Sequence, residues 1–411
     1  MITNEQKRVV IDNMVKLLEL PDSAYDKARK RYEDLGEWFD RDESAVSGND
    51  PHIFSQGSFR LGTAIRPLDE SEEYDLDLAC KLRDGISKDS HTQETLKKLI
   101  GIELEAYRKA RGIKSKLESK HRCWCLEYQD DLSFHMDIVP CIPADEKRRK
   151  AILESIRKTG LDEFVAGSAS QTTISITDDR HGSYKHICND WNISNPEGYA
   201  KWFEYRMKPQ QTGFLLGESQ LNAQTDVKAQ VDDVPLFKRK TPLQQVIQIL
   251  KRHRDNWSKV NPDSKPISII ITTLAARAYN GETDIVTALG NVLEKMGNLV
   301  RSTKPRVPNP VDPEEDFADR WYRQDCLHLR LEKNFNAWLL QAKTDFQHLT
   351  STTDTEFLCE HIEEKFSLRV NKSELKKQLG ICVASANIIT PKTHTIDRQD
   401  SARPWEWEYW H

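Results

Sequence analysis

Along the chain, apolar positions recur first at helical spacing, then at every second residue, then at helical spacing again, which predicts helices, a sheet region and further helices. Thr3 and Gln6 fit a capping box ahead of Val10, Met14, Leu17 and Leu18, and after Pro21 a second stripe runs Tyr25, Ala28, Tyr32, Leu35, Phe39. A loop, Glu43 to Pro51, closes this part. From Ile53 to about Pro143 the period shortens. Tyr74 to Leu82 (YDLDLACKL) alternates, so Asp75 and Asp77 share one face of a strand and Leu76 and Leu78 the other. A helix fits Thr92 to Gly112, and Cys123 to Cys141 reads as a hairpin around the polar turn Gln129 to Asp131.

After about Asn195 the helical period returns. Thr241 to Trp257 carries an N-cap at Thr241, Pro242 at the first helical position, Gln244 completing a capping box, and Leu243, Val246, Ile247 and Leu250 as its stripe. Ser268 to Gly281 follows as a helix stopped by glycine. Prolines at 305, 308, 310 and 313 predict an extended connector over Lys304 to Trp321. Phe335, Trp338, Leu339, Ala342, Phe346 and Leu349 then mark another amphipathic helix. The tail, Ala402 to His411, gathers three tryptophans that would dock on the body, on a partner or on another copy. The pattern predicts two units, 1–235 with the mixed α/β region and 236–411 with helices and the Trp-rich tail.

Composition narrows this picture. At 411 residues, with 37% hydrophobic and 30% charged residues, the chain can fold as two or three packed domains. Its net charge of −5 disfavours obligate binding of long nucleic acid. Phe237 to Lys240 and Leu250 to Arg254 are local basic spots, a kind of run that usually forms a solvated face and sometimes binds phosphate. The eight cysteines are scattered without a C-x-x-C pair, which suggests reduced thiols in the cytoplasm. No basic n-region with an apolar core opens the chain and no run of eighteen apolar residues occurs, so neither export nor a membrane span is expected.

The chemistry concentrates in three places. Gly57 and Ser58, within FSQGSFRLGT (Phe54 to Thr63), offer a backbone stripped of side chains and a hydroxyl, suited to holding a phosphate. Asp75 and Asp77 lie two apart on a strand, and Asp137 lies on a later strand opposite in face to Phe134, Met136 and Ile138. Three convergent carboxylates are costly without cations, and hard oxygen donors of this kind suit Mg²⁺ or Mn²⁺. Two metal ions at Asp75, Asp77 and Asp137 would serve phosphoryl transfer.

A Gly-Ser pair, then D-x-D on a strand, then a third acid on a later strand resembles the nucleotidyltransferase superfamily of DNA polymerase β. Taken with MDIVP, SNPEGYAKWF (Ser194 to Phe203), PLQQVIQILKRHRD, SIIITTLAARAY and NPVDPEEDFADRW, the chain looks like the bacterial CD-NTases, the cyclic-oligonucleotide synthases of CBASS anti-phage operons, over roughly residues 5 to 350. They are relatives of animal cyclic GMP-AMP synthase and 2′-5′-oligoadenylate synthetase. The resemblance implies an α+β fold, with a polymerase β-like core of mixed sheet and flanking helices and a C-terminal helical lobe like that of oligoadenylate synthetase. It implies NTP substrates, ATP or GTP among them, condensed to a cyclic di- or trinucleotide with release of pyrophosphate, and a downstream effector that recognises the product. Gln56, Gly57 and Ser58 would hold the donor triphosphate, the three acids would bind Mg²⁺ and activate the acceptor hydroxyl, and Lys251 and Ser268 match positions that contact the donor phosphates. A monomer is the expected state.

The residues also allow plainer readings. Lys251 alone reads as an exposed helix lysine and Ser268 as an N-cap. Ile269 stands where animal relatives carry an aromatic residue, which leaves the base-recognition residues unassigned. Cys123 and Cys125, alternating with Trp124 in a strand and with no second pair nearby in sequence, argue against zinc. The ending Trp410-His411 does not look like a substrate of the conjugation enzymes that some family members use. A linear nucleotidyltransferase acting on RNA, protein or a small molecule, and a nucleotide-binding module without turnover, are the alternatives.

Overall fold

The structure, a computed structural model, describes residues 2–69, 73–128, 134–208 and 240–380. The Gln129 to Asp131 turn, the boundary at 235/236, nearly all of the Phe237 to Lys240 run and the Trp-rich tail lie outside the described residues.

Helices α1 (Asn4–Leu18) and α2 (Asp22–Asp40) open the chain, and Thr3 and Gln6 form the expected capping box. Strand β1 (Pro51–Ser55) leads into a short helix α3 (Gly57–Leu61), which ends on Gly62 in the left-handed region. Then come β2 (Tyr74–Leu82), α4 (Gln93–Ala110), β3 (Glu118–Ser119), β4 (Trp124–Tyr128) and β5 (Phe134–Pro143). Helices α5 (Glu146–Arg157) and α6 (Glu163–Gln171), strands β6 (Ile174–Ile176) and β7 (Asn192–Ser194), and α7 (Pro196–Met207) complete this half.

The sheet runs β1-β2-β5-β4-β3, with β6 paired to β5 and β7 to β6. Among the described residues only β2 and β5 pair in parallel, in a register that sets Asp77 against Asp137 and Asp75 against His135. Strand alternation then divides chemistry from packing. Leu76, Leu78, Cys80 and Leu82 of β2 and Phe134, Met136 and Ile138 of β5 are buried against Tyr32, Leu35 and Phe39 of α2 and Leu96, Ile100 and Leu104 of α4. On the other face, one end carries the acids, while Phe54, Ala79, Cys141, Ile174 and Ile176 form a small core at the other end.

The remaining helices are α8 (Pro242–Trp257), α9 (Ser268–Ala278), α10 (Ile285–Lys295), α11 (Leu331–Leu349), α12 (Thr355–Phe366) and α13 (Lys372–Gln378). Thr241 and Gln244 cap α8 as expected, and the predicted stripe of α11 is buried. Val10, Met14 and Leu18 of α1 are buried in the same cluster as Leu243, Val246, Ile247 and Leu250 of α8, so the N-terminal helix packs into the helical half.

Two local expectations change. Helix α9 stops at Ala278, before Gly281. The proline connector is not simply extended, because β8 (Pro308–Asn309) and β9 (Asp312–Asp316) pair as a hairpin. Asp316 ties the open ends of this hairpin together, its carboxylate accepting from the backbone N–H groups of Arg306, Val307 and Ala318. Among the described residues no helix is long and apolar enough to cross a membrane.

Candidate active site

A cleft of about 630 Å³ opens between the sheet and the helical half. It is lined by Gly57, Ser58, Thr63, Tyr74, Asp75 and Asp77 on one side and by Lys251, Arg254, Lys265, Ser268 and Ile269 on the other. Asp137 adjoins it across the β2–β5 pairing. The three acids therefore converge, as successive side chains on one sheet face must when parallel strands pair in this register.

Their mutual repulsion has a measurable sign. Burial, then the charges of Asp75 and Asp137, push Asp77 up to about 6, against the opposing pull of Lys251 and His135. A cation binds the ionised carboxylate, so divalent-metal affinity should rise as pH rises toward about 6, with a proton released on binding at lower pH. In the metal-free protein, a raised carboxyl pKa favours the folded state at low pH, and this contribution is lost as pH rises from about 4 to about 6. Thermal denaturation across that window, with and without Mg²⁺, checks both signs; equal stabilisation by Mg²⁺ at pH 5 and pH 7 would contradict the first.

The Gly-Ser turn meets the acids at close range. Gly57 has φ of +64°, and a Cβ built there would lie 2.0 Å from Asp77 Oδ2. The Gln56 N–H donates to the Asp77 carbonyl at 2.9 Å, which fixes this approach. The Gln56 side chain donates to the Leu78 carbonyl at 3.2 Å and is not among the residues lining the cleft, in contrast to Gly57 and Ser58.

Lys251 and Ser268 both line the cleft, and neither takes its plainer reading. Lys251 is 7% exposed, and its Nζ donates to the Thr63 carbonyl at 2.9 Å. Burial foremost, then Arg254, lowers its pKa to about 8. Ser268 is not the cap of α9, since Ile267 occupies that position; its hydroxyl accepts from Arg254 Nη1 at 2.8 Å. The whole Leu250 to Arg254 run is buried, so it is not a solvated face.

Sequence reasoning missed a ladder on α8. Gln244 Nε2 donates to the Leu61 carbonyl at 3.0 Å, Gln248 Nε2 to Ala64 at 2.8 Å, and Arg252 Nη2 to Pro67 at 3.1 Å. Together with Lys251, these side chains clamp the backbone that follows α3 onto the helical half. The available signal was polar residues at helical spacing beside the apolar stripe of a capped helix. Gln248→Leu would leave the buried Ala64 carbonyl without its donor and should cost roughly 1–3 kcal/mol, read as a lowered midpoint in denaturant titration.

The Asp137 carboxylate also has partners of its own. Lys120 Nζ lies 3.2 Å from Oδ1, and His135 Nε2 is 3.0 Å from the same oxygen.

Residues 51–140 match the family described as the nucleotidyltransferase domain of cyclic GMP-AMP synthase DncV-like proteins. The chain is 28% identical over 359 residues to a c-di-GMP synthase of Roseivirga ehrenbergii, covering 85% of this chain and 82% of that one. It is 24% identical over 317 residues to the cyclic dinucleotide synthase CdnG of Bradyrhizobium diazoefficiens, covering 74% and 67%. The solved structure of CdnG with GTP superposes with a TM-score of 0.60 at 19% identity, over 91% of this chain and 98% of that one, a likeness of fold. Domain match, relatives spanning most of the chain and shared architecture agree in supporting the reading of this chain as a CD-NTase.

Proposed function

We propose that this chain condenses nucleoside triphosphates, GTP or ATP among them, into a cyclic di- or trinucleotide. Of all the observations, the cleft that joins the Gly57-Ser58 turn to the Asp75, Asp77 and Asp137 cluster carries this reading furthest. The chain is a nucleotidyltransferase of the cyclic-oligonucleotide-synthase type, and the names of its relatives support a dinucleotide product.

The carboxylate cluster fits divalent cations, because burial and then the two acids beside it push Asp77 up to about 6, and added positive charge relieves both the desolvation and the repulsion. Two Mg²⁺ or Mn²⁺ ions held by Asp75, Asp77 and Asp137 would supply the charge that activates the acceptor hydroxyl and offsets the leaving pyrophosphate. Gly57 lets the backbone come close to the triphosphate, and the Ser58 hydroxyl donates to it. Lys251, buried and aimed across the cleft from Asp75 and Asp77, adds positive charge at the donor phosphates, and Ser268 adds a hydroxyl beside Arg254. The α8 ladder holds residues 61–67 so that the turn and the acids keep their spacing. Units 1–235 and 236–411 act as the two walls of the cleft.

The product would leave to a downstream effector that recognises it, in CBASS-type antiviral signalling within the cytoplasm, and the enzyme would work as a monomer without long nucleic acid. Purified protein with Mg²⁺ and the four NTPs should yield a phosphatase-resistant product whose mass, by mass spectrometry, is that of a cyclic di- or trinucleotide. A linear, phosphatase-sensitive product, or label transferred to RNA or protein, would replace this reading with a linear transferase. NTP binding without any turnover would leave a binding module.

A further inference from the structure

Asp137 has neighbours that nucleotidyl transfer does not use. Cys125 pairs with Asp137 across β4 and β5, so its side chain and those of His135 and Asp137 point to the same sheet face. Cys125 Sγ is 3.0 Å from His135 Nε2, and that nitrogen is 3.0 Å from Asp137 Oδ1. The ligand atoms of Cys125, His135 and Asp137 all lie within 4.8 Å of one another. Cys123, at the entrance to β4 and two residues before Cys125, also interacts with the Asp137 carboxylate. C-x-C and H-x-D thus bring three donors to one point, with the Cys123 thiol beside them.

We propose that Cys123, Cys125, His135 and Asp137 form an inhibitory site for a thiophilic divalent cation, with Zn²⁺ the best fit. Two sulfurs, one imidazole nitrogen and one carboxylate oxygen make a tetrahedral donor set of the kind zinc prefers. Zinc bond lengths put ligand atoms in such a site about 3.3–3.8 Å apart, so Cys125, His135 and Asp137 need only small side-chain adjustments, and Cys123 would swing in as the fourth ligand. The place is already held by a cation, since Lys120 Nζ lies 3.2 and 3.5 Å from the two Asp137 oxygens. Lys120 is 39% exposed and can swing into solvent as the metal enters. Each thiol that ligates loses its proton to solvent. Mg²⁺, which takes oxygen ligands, gains nothing from the two sulfurs and does not select this site.

The consequence is competition for one carboxylate. A zinc ion bound here takes Asp137 away from Asp75 and Asp77, so nucleotide condensation stops while the triphosphate side of the cleft is untouched. That inhibitory consequence rests on the proposed function, whereas the binding itself does not.

Cobalt(II) reads the site independently of activity. Metal-free, full-length protein titrated with Co²⁺ in excess Mg²⁺ should develop a thiolate-to-cobalt charge-transfer band and intense visible bands of tetrahedral cobalt, both bleached by Zn²⁺. The charge-transfer band should weaken in Cys123→Ser and in Cys125→Ser and vanish in the double variant, with zinc affinity falling roughly 10–100-fold per ligand lost. Zinc should inhibit nucleotide condensation by the wild type and lose that effect in the double variant. Absence of the band in wild-type protein, or zinc inhibition undiminished in a double variant with unchanged circular dichroism, overturns the proposal. If no NTP is turned over at all, the functional reading fails, and the cobalt spectra still decide the metal site.

Discussion

Asp75→Asn combined with Asp77→Asn should leave a folded protein that binds NTP yet forms cyclic product at a rate lowered by on the order of 10³-fold or more, since charge stabilisation of the transferring phosphoryl group is lost. Folding should survive because both side chains sit on the cleft face of β2, opposite Leu76 and Leu78, and the near-isosteric change relieves repulsion instead of opening a cavity. Turnover of radiolabelled NTPs and equilibrium nucleotide binding, measured on the same preparation, separate the two effects. Product formed at the wild-type rate would sink the mechanism.

Gly57→Ala is expected to be nearly as damaging through a single methyl group. The left-handed backbone costs a non-glycine residue about 1–2 kcal/mol, and the new Cβ would stand 2.0 Å from Asp77 Oδ2, 2.8 Å from its Cγ and 3.0 Å from its Cβ. Relief requires the carboxylate to swing away from Asp137 or the turn to lift off β2, and misplacement of about 1 Å in a catalytic constellation can cost on the order of 10²-fold. Gly112→Ala is the control, because Gly112 has the same φ of +64° with nothing within 4 Å of its added Cβ. It should show the backbone cost in thermal denaturation with turnover retained. Equal activity in both variants would mean that contact between the turn and Asp77 does not matter.

Much of the site was legible because strand alternation is a short-range rule. The two-residue step from Asp75 to Asp77 and the face opposite Met136 and Ile138 place each acid without knowledge of the strand partners. Caps were legible for the same reason, since Thr3 with Gln6 and Thr241 with Gln244 satisfy helix ends through contacts three residues apart. Lys251 and Arg252 were harder. A charged run on a helix reads as solvated unless one knows that carbonyls from 185 to 188 residues away in the chain come to meet it. Asp316 was invisible on similar grounds, because it ties the open ends of the β8–β9 hairpin by gathering three N–H groups that the sequence does not mark.

The sequence by itself determined the elements, their apolar faces and the identity of the three acids, because these depend on periodicity and on the residue types that phosphoryl transfer needs. Tertiary structure alone decided the parallel register that sets Asp77 beside Asp137, and the approach of Gly57 to Asp77. It also decided the burial of Lys251 against Thr63 and the meeting of Cys125 with His135. Register and packing are collective: each is chosen by the whole set of apolar faces that must be covered at once, and no local stretch of residues contains that information.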